Sequence, residues 1–131
     1  MSLLSLNDRI FVTGGSGMVG NALCKFLREK GFKEENNKLF KSTKKNLDLR
    51  NPILVNKWFE INKPNIVIIA AAKVGGIIAN RDYPVEFLLD NLKIQNNLIE
   101  AAFNFKVKRL LFLGSSCIYP KFSQQPIKER Y

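Results

Sequence analysis

The chain has 131 residues, of which 46% are hydrophobic, and a formal net charge of +10. This length supports one ordinary core, and no repeat, low-complexity tract or shift of composition divides the chain, so residues 1–131 are expected to form one domain. No apolar run approaches the roughly 20 residues of a membrane span. Asp8 interrupts the start before an export signal could form, which predicts a chain that is not exported.

Charge and cysteine content limit the classes of partner. The positive charge would suit nucleic acid, an acidic membrane surface or a phosphate-rich ligand, but a general bias toward lysine and asparagine explains it equally well. Cys24 and Cys117 are too few and too far apart for a disulfide framework, and the chain has no histidine to complete a zinc site. We therefore expect no metal, and a reducing cytoplasmic location.

The first predicted strand, residues 9–13, runs into a glycine-spaced turn. Glycines at positions 14, 17 and 20 stand where this strand gives way to a predicted helix over residues 17–30, which Gly31 should end. Such glycines let the chain reverse sharply, admit a pyrophosphate and bring helix and strand close together. A turn with only a structural role is the alternative. The strand–turn–helix context favours a dinucleotide site formed by Gly14, Gly15, Ser16, Gly17, Met18, Val19 and Gly20.

The second predicted strand, residues 38–42, indicates which dinucleotide is bound. A site that selects NAD places an acidic side chain at the end of this strand, where the carboxylate accepts the ribose 2′-hydroxyl. Here the sequence is Lys-Ser-Thr-Lys-Lys over residues 41–45, so a 2′-phosphate would meet ammonium groups and hydroxyls. We therefore predict NADP(H) as the cofactor, bound through Lys41, Lys44 or Lys45.

The rest of the chain continues the alternation of strands and helices. Helices are predicted over residues 52–61 and 84–105, and strands over residues 65–70 and 107–113, the former apolar throughout as a central parallel strand should be. The alternation predicts an α/β fold with a doubly wound parallel sheet of Rossmann type, truncated after about four strands.

The last predicted helix carries two apolar faces. One comprises Leu88, Leu92, Ile99 and Ala102, and the other comprises Phe87, Ile94, Leu98 and Phe105. One face would cover the sheet, and the other could pack against a further helix or a second subunit. A helix buried on all sides inside a larger domain is the alternative.

Several segments resemble a known family. The glycine turn preceded by Thr13 resembles that of the extended short-chain dehydrogenase/reductase family, of the NAD-dependent epimerase/dehydratase type, and residues 46–50 (NLDLR) resemble its adenine-contacting segment. Residues 70–77 (AAAKVGGI) and 113–120 (LGSSCIYP) are similar to stretches distinctive of the GDP-L-fucose synthase group, which epimerises and reduces GDP-4-keto-6-deoxymannose. The resemblance covers nearly the whole chain and implies the N-terminal NADP-binding part of such an enzyme, without its substrate domain.

The resemblance also implies roles for particular positions. The glycine turn would hold the NADP pyrophosphate, and further cofactor contacts are implied at Asp48, Leu49, Ala71, Ala72, Leu113, Gly114 and Ser116. Ser115 would hydrogen-bond the sugar ketone, and Cys117 would move protons at the carbons that flank it. A thiolate can remove a proton made acidic by an adjacent carbonyl, while the cofactor supplies hydride. Without the resemblance, Cys117 would be a buried thiol and Ser115 an ordinary turn residue.

The family's remaining catalytic groups do not occur in this sequence. Reduction in the family uses a tyrosine with a lysine four positions later, but Tyr83 is followed by Phe87 and Tyr119 by Ser123, and Tyr131 is the last residue. The family's partner histidine is absent as well. We therefore expect the chain alone to be inactive, and the full-length form to be a homodimer through helix 84–105 that acts on a GDP-sugar.

Two further possibilities remain open. The chain could be a non-catalytic NADP-binding module, or it could come from another sugar-nucleotide epimerase or dehydratase. Nucleic-acid binding is disfavoured because the motifs already account for phosphate affinity, and no membrane partner is expected.

Overall fold

The computed structural model describes residues 4–131 of the chain. Its four strands are β1 (Ile10–Thr13), β2 (Leu39–Lys41), β3 (Ile66–Ile69) and β4 (Arg109–Phe112). Its helices are α1 (Met18–Glu29), α2 (Pro52–Asn62), α3 (Ile77–Asp82) and α4 (Pro84–Asn104), and a 3₁₀ turn covers Ser116–Ile118. All four predicted strands and all three predicted helices are confirmed, whereas α3 and the 3₁₀ turn were not predicted.

The export prediction rests partly on residues 1–3, which lie outside the described residues. Among residues 4–131, no helix is long and apolar enough to cross a membrane.

The four strands form one parallel sheet in the order β2-β1-β3-β4. Phe11 of β1 pairs with Phe40 of β2 on one side and with Val67 of β3 on the other. The chain adds β2 on one side of β1 and then returns past β1 to add β3 on the opposite side. The winding direction therefore reverses between β1 and β3, and in sheets of this type the crevice at that point is where ligands bind.

Helices cover both faces of the sheet, which confirms the doubly wound α/β prediction. Because side chains alternate along a strand, Ile10 and Val12 point to the face covered by α1, whereas Phe11 points to the face covered by α2 and α4. Cys24 is fully buried in the α1 layer, and this burial raises the pKa of its thiol. On the other face, Phe11 stacks on Trp58 with ring centroids 3.9 Å apart. The site described below therefore rests on two packed layers.

Helix α4 has one buried and one exposed apolar face. Leu98, Ala101 and Ala102 are buried against the sheet, so Ala102 belongs to the core face and not, as predicted, to the face of Leu88 and Leu92. The exposed residues lie three, four or seven positions apart along the helix, except for the adjacent pair Leu88 and Leu89. We call them the outer stripe: Val85, Leu88, Leu89, Leu92, Ile99 and Phe103, which are between 39% and 83% exposed.

Candidate cofactor site

A cavity of about 540 Å³ opens at the carboxyl ends of β1, β2 and β3. It is lined by residues 14, 16–20, 42–44, 47–50 and 70–74, together with Asp90 and Ile94 of α4. Its volume lies within the range of roughly 300–1,000 Å³ that small-molecule sites occupy. The cavity therefore stands at the point of the sheet where the topology places a ligand.

The glycine turn forms one wall of the cavity. Gly14 has a φ of +67°, and a Cβ there would lie only 2.8 Å from the carbonyl oxygen of Ala70. A Cβ at Gly20 would collide with the carbonyl oxygen of Gly14. The turn can therefore pack against both the end of β3 and the first turn of α1 only because these side chains are absent. Of the seven predicted turn residues, six line the cavity and Gly15 does not.

Thr13 joins the ends of β1 and β3 at the floor of this crevice. Its side chain is fully buried, and its hydroxyl accepts hydrogen bonds from the backbone N–H groups of Ala70 at 3.2 Å and Ala71 at 3.3 Å. The same hydroxyl donates to the carbonyl of Ile68 at 3.4 Å. The predicted wall residue Ala71 is thereby held beside the glycine turn, and both Ala71 and Ala72 line the cavity.

The N-terminus of α1 faces the cavity without a cap. Within residues 4–131, no side chain caps Gly17 and the first turn contains no acid, so the first helical bond runs from Asn21 N–H to the Gly17 carbonyl at 2.8 Å. Helix α2 differs, because the Asn51 side chain accepts from two backbone N–H groups at its start. The free N–H groups and partial positive charge of α1 are thus available to an anion such as a phosphate.

The end of β2 supplies hydroxyls and one lysine. Ser42, Thr43 and Lys44 line the cavity. The Ser42 hydroxyl is buried and has no hydrogen-bond partner among the described residues, although its backbone N–H and carbonyl are both bonded. A buried hydroxyl without a partner is costly, so a ligand oxygen in the cavity would stabilise it.

Lys41, one of the three lysines predicted to bind the 2′-phosphate of NADP, is not among the residues that line the cavity. Its ammonium group is 3.9 Å from Glu34, and its Cβ packs so close to Gly15 that a Cβ on that glycine would come within 2.6 Å. Lys45 also lies outside the lining. Lys44 is therefore the member of the predicted set that the structure brings to the cavity.

Four charged side chains form a cluster on the cavity wall: Asp48, Arg50, Lys73 and Asp90. Arg50 donates to both carboxylate oxygens of Asp48 at 2.9 Å and to Asp90 at 3.2 Å, and Lys73 reaches the same Asp90 at 3.3 Å. Because the cluster contains two acids and two bases, its formal charge is zero. It therefore adds little to the attraction of an anionic ligand.

The cluster perturbs the ionisation of both acids. The Arg50 side chain holds the pKa of Asp48 at about 2, and the Arg50 backbone N–H adds to the effect. Desolvation raises the pKa of Asp90, but hydrogen bonds and charge from Lys73 and Arg50 outweigh it, so the pKa is lowered overall. Both carboxylates are consequently ionised at neutral pH.

Helix α4 also holds the backbone of the two loops that carry this cluster. The Asn97 side chain donates to the carbonyl of Leu49 at 2.9 Å. The Asn91 side chain accepts from the Lys73 N–H at 2.7 Å and donates to the Lys73 carbonyl at 2.9 Å. The loops after β2 and β3 are therefore fixed to one helix, which makes this side of the cavity a preformed wall.

The residues predicted after β4 lie at the same edge of the sheet, but they do not line the cavity. Leu113 extends the sheet by donating its N–H to the Ile69 carbonyl at 3.1 Å. The Ser115 hydroxyl accepts from the Cys117 N–H at 3.1 Å and caps the 3₁₀ turn that contains Ser116. The Cys117 thiol is exposed. The predicted roles of Leu113, Gly114, Ser115, Ser116 and Cys117 remain predictions.

Sequence reasoning missed part of the cavity lining. Asp90 was not predicted. Ser42 and Arg50 lie in the segments predicted to face the cofactor, residues 41–45 and 46–50, but neither was assigned a contact of its own, although the position of Arg50 two residues after Asp48 is a local signal for an ion pair. Asp90 had no such signal, because it lies 40 residues further along the chain. Within residues 4–131, no group of three or more histidine, cysteine or acidic residues could hold a metal ion.

Comparison with known proteins agrees with this geometry. The model of the NAD dependent epimerase/dehydratase family matches residues 10–131. GDP-L-fucose synthase 1 of Arabidopsis thaliana is 49% identical over 128 residues, which are 98% of this chain and 38% of that protein. GDP-L-fucose synthase of Escherichia coli is 44% identical over 122 residues, which are 93% of this chain and 37% of that protein.

The chain is also similar to solved structures of sugar-nucleotide enzymes with NADP bound. A GDP-L-fucose synthetase from Naegleria fowleri bound to NADP has a TM-score of 0.81 at 32% identity, covering 97% of this chain and 36% of that one. A GDP-mannoheptose C4 reductase from Campylobacter jejuni with NADP bound has a TM-score of 0.86 at 37% identity, covering 98% of this chain and 37% of that one. The chain thus spans well under half the length of these relatives.

Proposed function

Because the chain belongs to the NAD dependent epimerase/dehydratase family, we propose that it forms the NADP-binding part of a GDP-L-fucose synthase. Such an enzyme converts GDP-4-keto-6-deoxymannose to GDP-L-fucose by epimerisation at C3 and C5 and NADPH-dependent reduction at C4. One observation carries the proposal: the uncapped start of α1 and the hydroxyl- and lysine-bearing end of β2 open into the same cavity. The names of relatives at 44–49% identity support the substrate class.

The residues present fit this cofactor. The backbone N–H groups at the start of α1 would hold the pyrophosphate. The Ser42 hydroxyl, which has no partner among the described residues, and the Lys44 ammonium group would receive the 2′-phosphate, since residues 41–45 contain no acid that would repel it. Asp48 and Leu49 would border the adenine. When bound, the cofactor supplies the hydride for reduction.

Cys117 and Ser115 are proposed to contribute to the chemistry at the sugar. Ser115 would orient the ketone through its hydroxyl, and the Cys117 thiol would exchange protons with the carbons beside it. Their place after β4, at the carboxyl edge of the sheet where the cavity opens, supports this assignment. The exposure of the Cys117 thiol leaves it accessible to a substrate.

A homodimer and a cytosolic location complete the proposal. The outer stripe of α4 supports self-association, because a row of apolar side chains along one helix loses contact with water when a second copy covers it.

Two free cysteines and no disulfide among the described residues fit a reducing compartment.

The experiment that tests cofactor choice is calorimetric titration of the chain with NADPH and with NADH. We expect NADPH to bind at least about tenfold more tightly, since a charge-assisted contact to a phosphate is worth about 1.5–3 kcal/mol. Lys44→Glu should remove or reverse this preference, and Lys41→Glu should reduce it less. Lys57→Glu, on the exposed side of α2, is the matched control and should change nothing. Equal affinity for the two cofactors in the unmodified chain would refute the assignment.

A further inference from the structure

We propose that Arg50 is a positioning residue that holds the Asp48 carboxylate ready to accept a hydrogen bond from the exocyclic amine of adenine, so that the site prefers adenine to hypoxanthine. This inference rests on the proposed function, because it takes Asp48 to border the adenine. It goes further in assigning base specificity to a residue that would not itself contact the base.

The geometry fixes Asp48 in one orientation. Arg50 Nε donates to Oδ1 of Asp48 at 2.9 Å, Arg50 Nη2 donates to Oδ2 at 2.9 Å, and the Arg50 backbone N–H donates to Oδ1 at 3.0 Å. A planar guanidinium that engages both carboxylate oxygens allows the carboxylate little rotation. The carboxylate is therefore clamped where it lines the cavity.

Asp90 fixes the guanidinium in turn. Arg50 Nη1 is 3.4 Å and 3.2 Å from the two oxygens of Asp90, which Lys73 also contacts at 3.3 Å. All three side-chain nitrogens of Arg50 thus point to carboxylates of two different elements. Arg50 has little capacity left for a phosphate, and its contribution to the cavity is to hold Asp48.

The remaining acceptor capacity of Asp48 defines the base it would take. An ionised carboxylate accepts at about four positions, and Arg50 uses two on Oδ1 and one on Oδ2. The free position on Oδ2 can bind a donor and repels an acceptor. Adenine carries an amine at C6, which donates, whereas hypoxanthine carries an oxygen there, which accepts. The same carboxylate therefore favours one base and disfavours the other.

The test is a ratio of dissociation constants measured on the full chain. NADPH is compared with its hypoxanthine analogue, which differs only at C6 of the base, by calorimetric titration. We expect the unmodified chain to prefer NADPH by about tenfold or more, because a hydrogen bond to a charged group is worth about 1.5–3 kcal/mol. Arg50→Gln should bring the ratio to within about threefold of unity. Arg50→Lys keeps the charge but cannot engage both carboxylate oxygens as the planar guanidinium does, so its ratio should lie between those of the unmodified chain and Arg50→Gln.

Using a ratio separates positioning from a general loss of structure. A partly unfolded variant weakens both ligands equally, so its ratio stays that of the unmodified chain, and this result for Arg50→Gln would overturn the proposal. Arg81→Gln is the matched control and should keep the full ratio, because Arg81 is exposed and, among residues 4–131, forms an ion pair only with its neighbour Asp82. A loss of the ratio in both variants would likewise overturn the proposal.

Asp48→Asn separates failure of this inference from failure of the proposed function. If NADPH does not bind the unmodified chain, the proposed function is wrong. If NADPH binds but Asp48→Asn keeps the preference for adenine, the carboxylate does not read the base and the inference fails alone. If Asp48→Asn removes the preference and Arg50→Gln does not, Asp48 reads the base without help from Arg50, and the inference again fails.

Discussion

Gly20 shows how closely the turn depends on single atoms. A methyl group at this position would collide with the carbonyl oxygen of Gly14, which is backbone and cannot rotate away. Gly20→Ala should therefore lower the free energy of unfolding by about 1–3 kcal/mol, the usual cost of overpacking. Urea denaturation of both chains measures this difference.

Gly76→Ala is the matched control for this prediction. A Cβ at Gly76 would meet nothing within 4 Å, so the substitution should leave stability within about 0.5 kcal/mol of the unmodified chain. If the two alanine variants were equally stable, the contact between α1 and the turn would not be as tight as the structure places it.

Asp48 gives a prediction about acid stability. Its pKa in the folded chain is about 2, below the ordinary 3.8, because Arg50 stabilises the ionised form. A depressed pKa contributes stability that is complete above the ordinary value and disappears as the pH falls toward 2. Unfolding by urea at a series of pH values between 5 and 2 should show Arg50→Gln losing less stability on acidification than the unmodified chain. Parallel pH profiles would contradict the pairing.

The cavity residues divide into those that sequence could predict and those that it could not. The glycine turn, Asp48 and Leu49 were found because each lies within a short motif, and the structure brings them to one cavity. Lysines 41, 44 and 45 could not be separated by sequence, because which of them faces the cavity depends on how Glu34 and Gly15 hold Lys41. The pairing of Arg50 with Asp90 spans 40 residues, so no local pattern indicates it.

Among the elements, α4 combines a buried face with an exposed one. Leu98 is fully buried between α2 and the sheet, so Leu98→Ala should cost about 2–5 kcal/mol of unfolding free energy through the cavity it leaves. Thermal or urea denaturation measures this loss. Leu92→Ala, on the outer stripe, removes the same atoms from an exposed site and serves as control. Equal losses from the two substitutions would mean that α4 is not oriented as described.

The outer stripe of α4 also predicts self-association. Ile99→Lys places a charge within the stripe, between Leu92 and Phe103, which a second copy of the chain would have to desolvate, so the substitution should shift the chain toward the monomer. Sedimentation velocity over a range of concentrations measures the shift. Asn104→Lys adds the same charge at an exposed position on another side of the helix and should leave the dimer intact. A monomeric unmodified chain at all concentrations would contradict the proposed dimer.

The four strands and the three long helices were predictable from sequence, whereas the short helix α3 and the 3₁₀ turn were not. Strands β1, β2, β3 and β4 each lie within a short segment whose residues favour a strand. Helices α1, α2 and α4 each extend over at least 11 residues. Helix α3 is only six residues long and follows Gly75 and Gly76, so its local sequence resembles a loop. Its position against α4 is a tertiary effect, illustrated by Phe87 packing so near Gly75 that a Cβ there would come within 2.7 Å.

At the scale of the whole molecule, the topology gathers the cavity lining from four separate parts of the chain. The reversal of winding between β1 and β3 leaves the crevice, and α4 closes one side of it through Asp90 and Asn97. Local motifs predict the walls formed by the glycine turn and by the loops after β2 and β3, but not the side that α4 closes, and only the strand order shows that the walls meet. The positive charge does not predict this arrangement, since the acid–base cluster on the wall is neutral.

The whole chain also allows binding to be separated from turnover. The 131 residues provide a cavity for the cofactor, but they contain no tyrosine with a lysine four positions later and no histidine. The sugar ketone would therefore lack its proton donor, and we expect the chain to bind NADPH without oxidising it when GDP-4-keto-6-deoxymannose is added. Following NADPH absorbance with and without the sugar nucleotide tests this, with the longer Escherichia coli relative as the positive control. Turnover by the 131 residues would show that Ser115, Cys117 or another group of this chain supplies the proton.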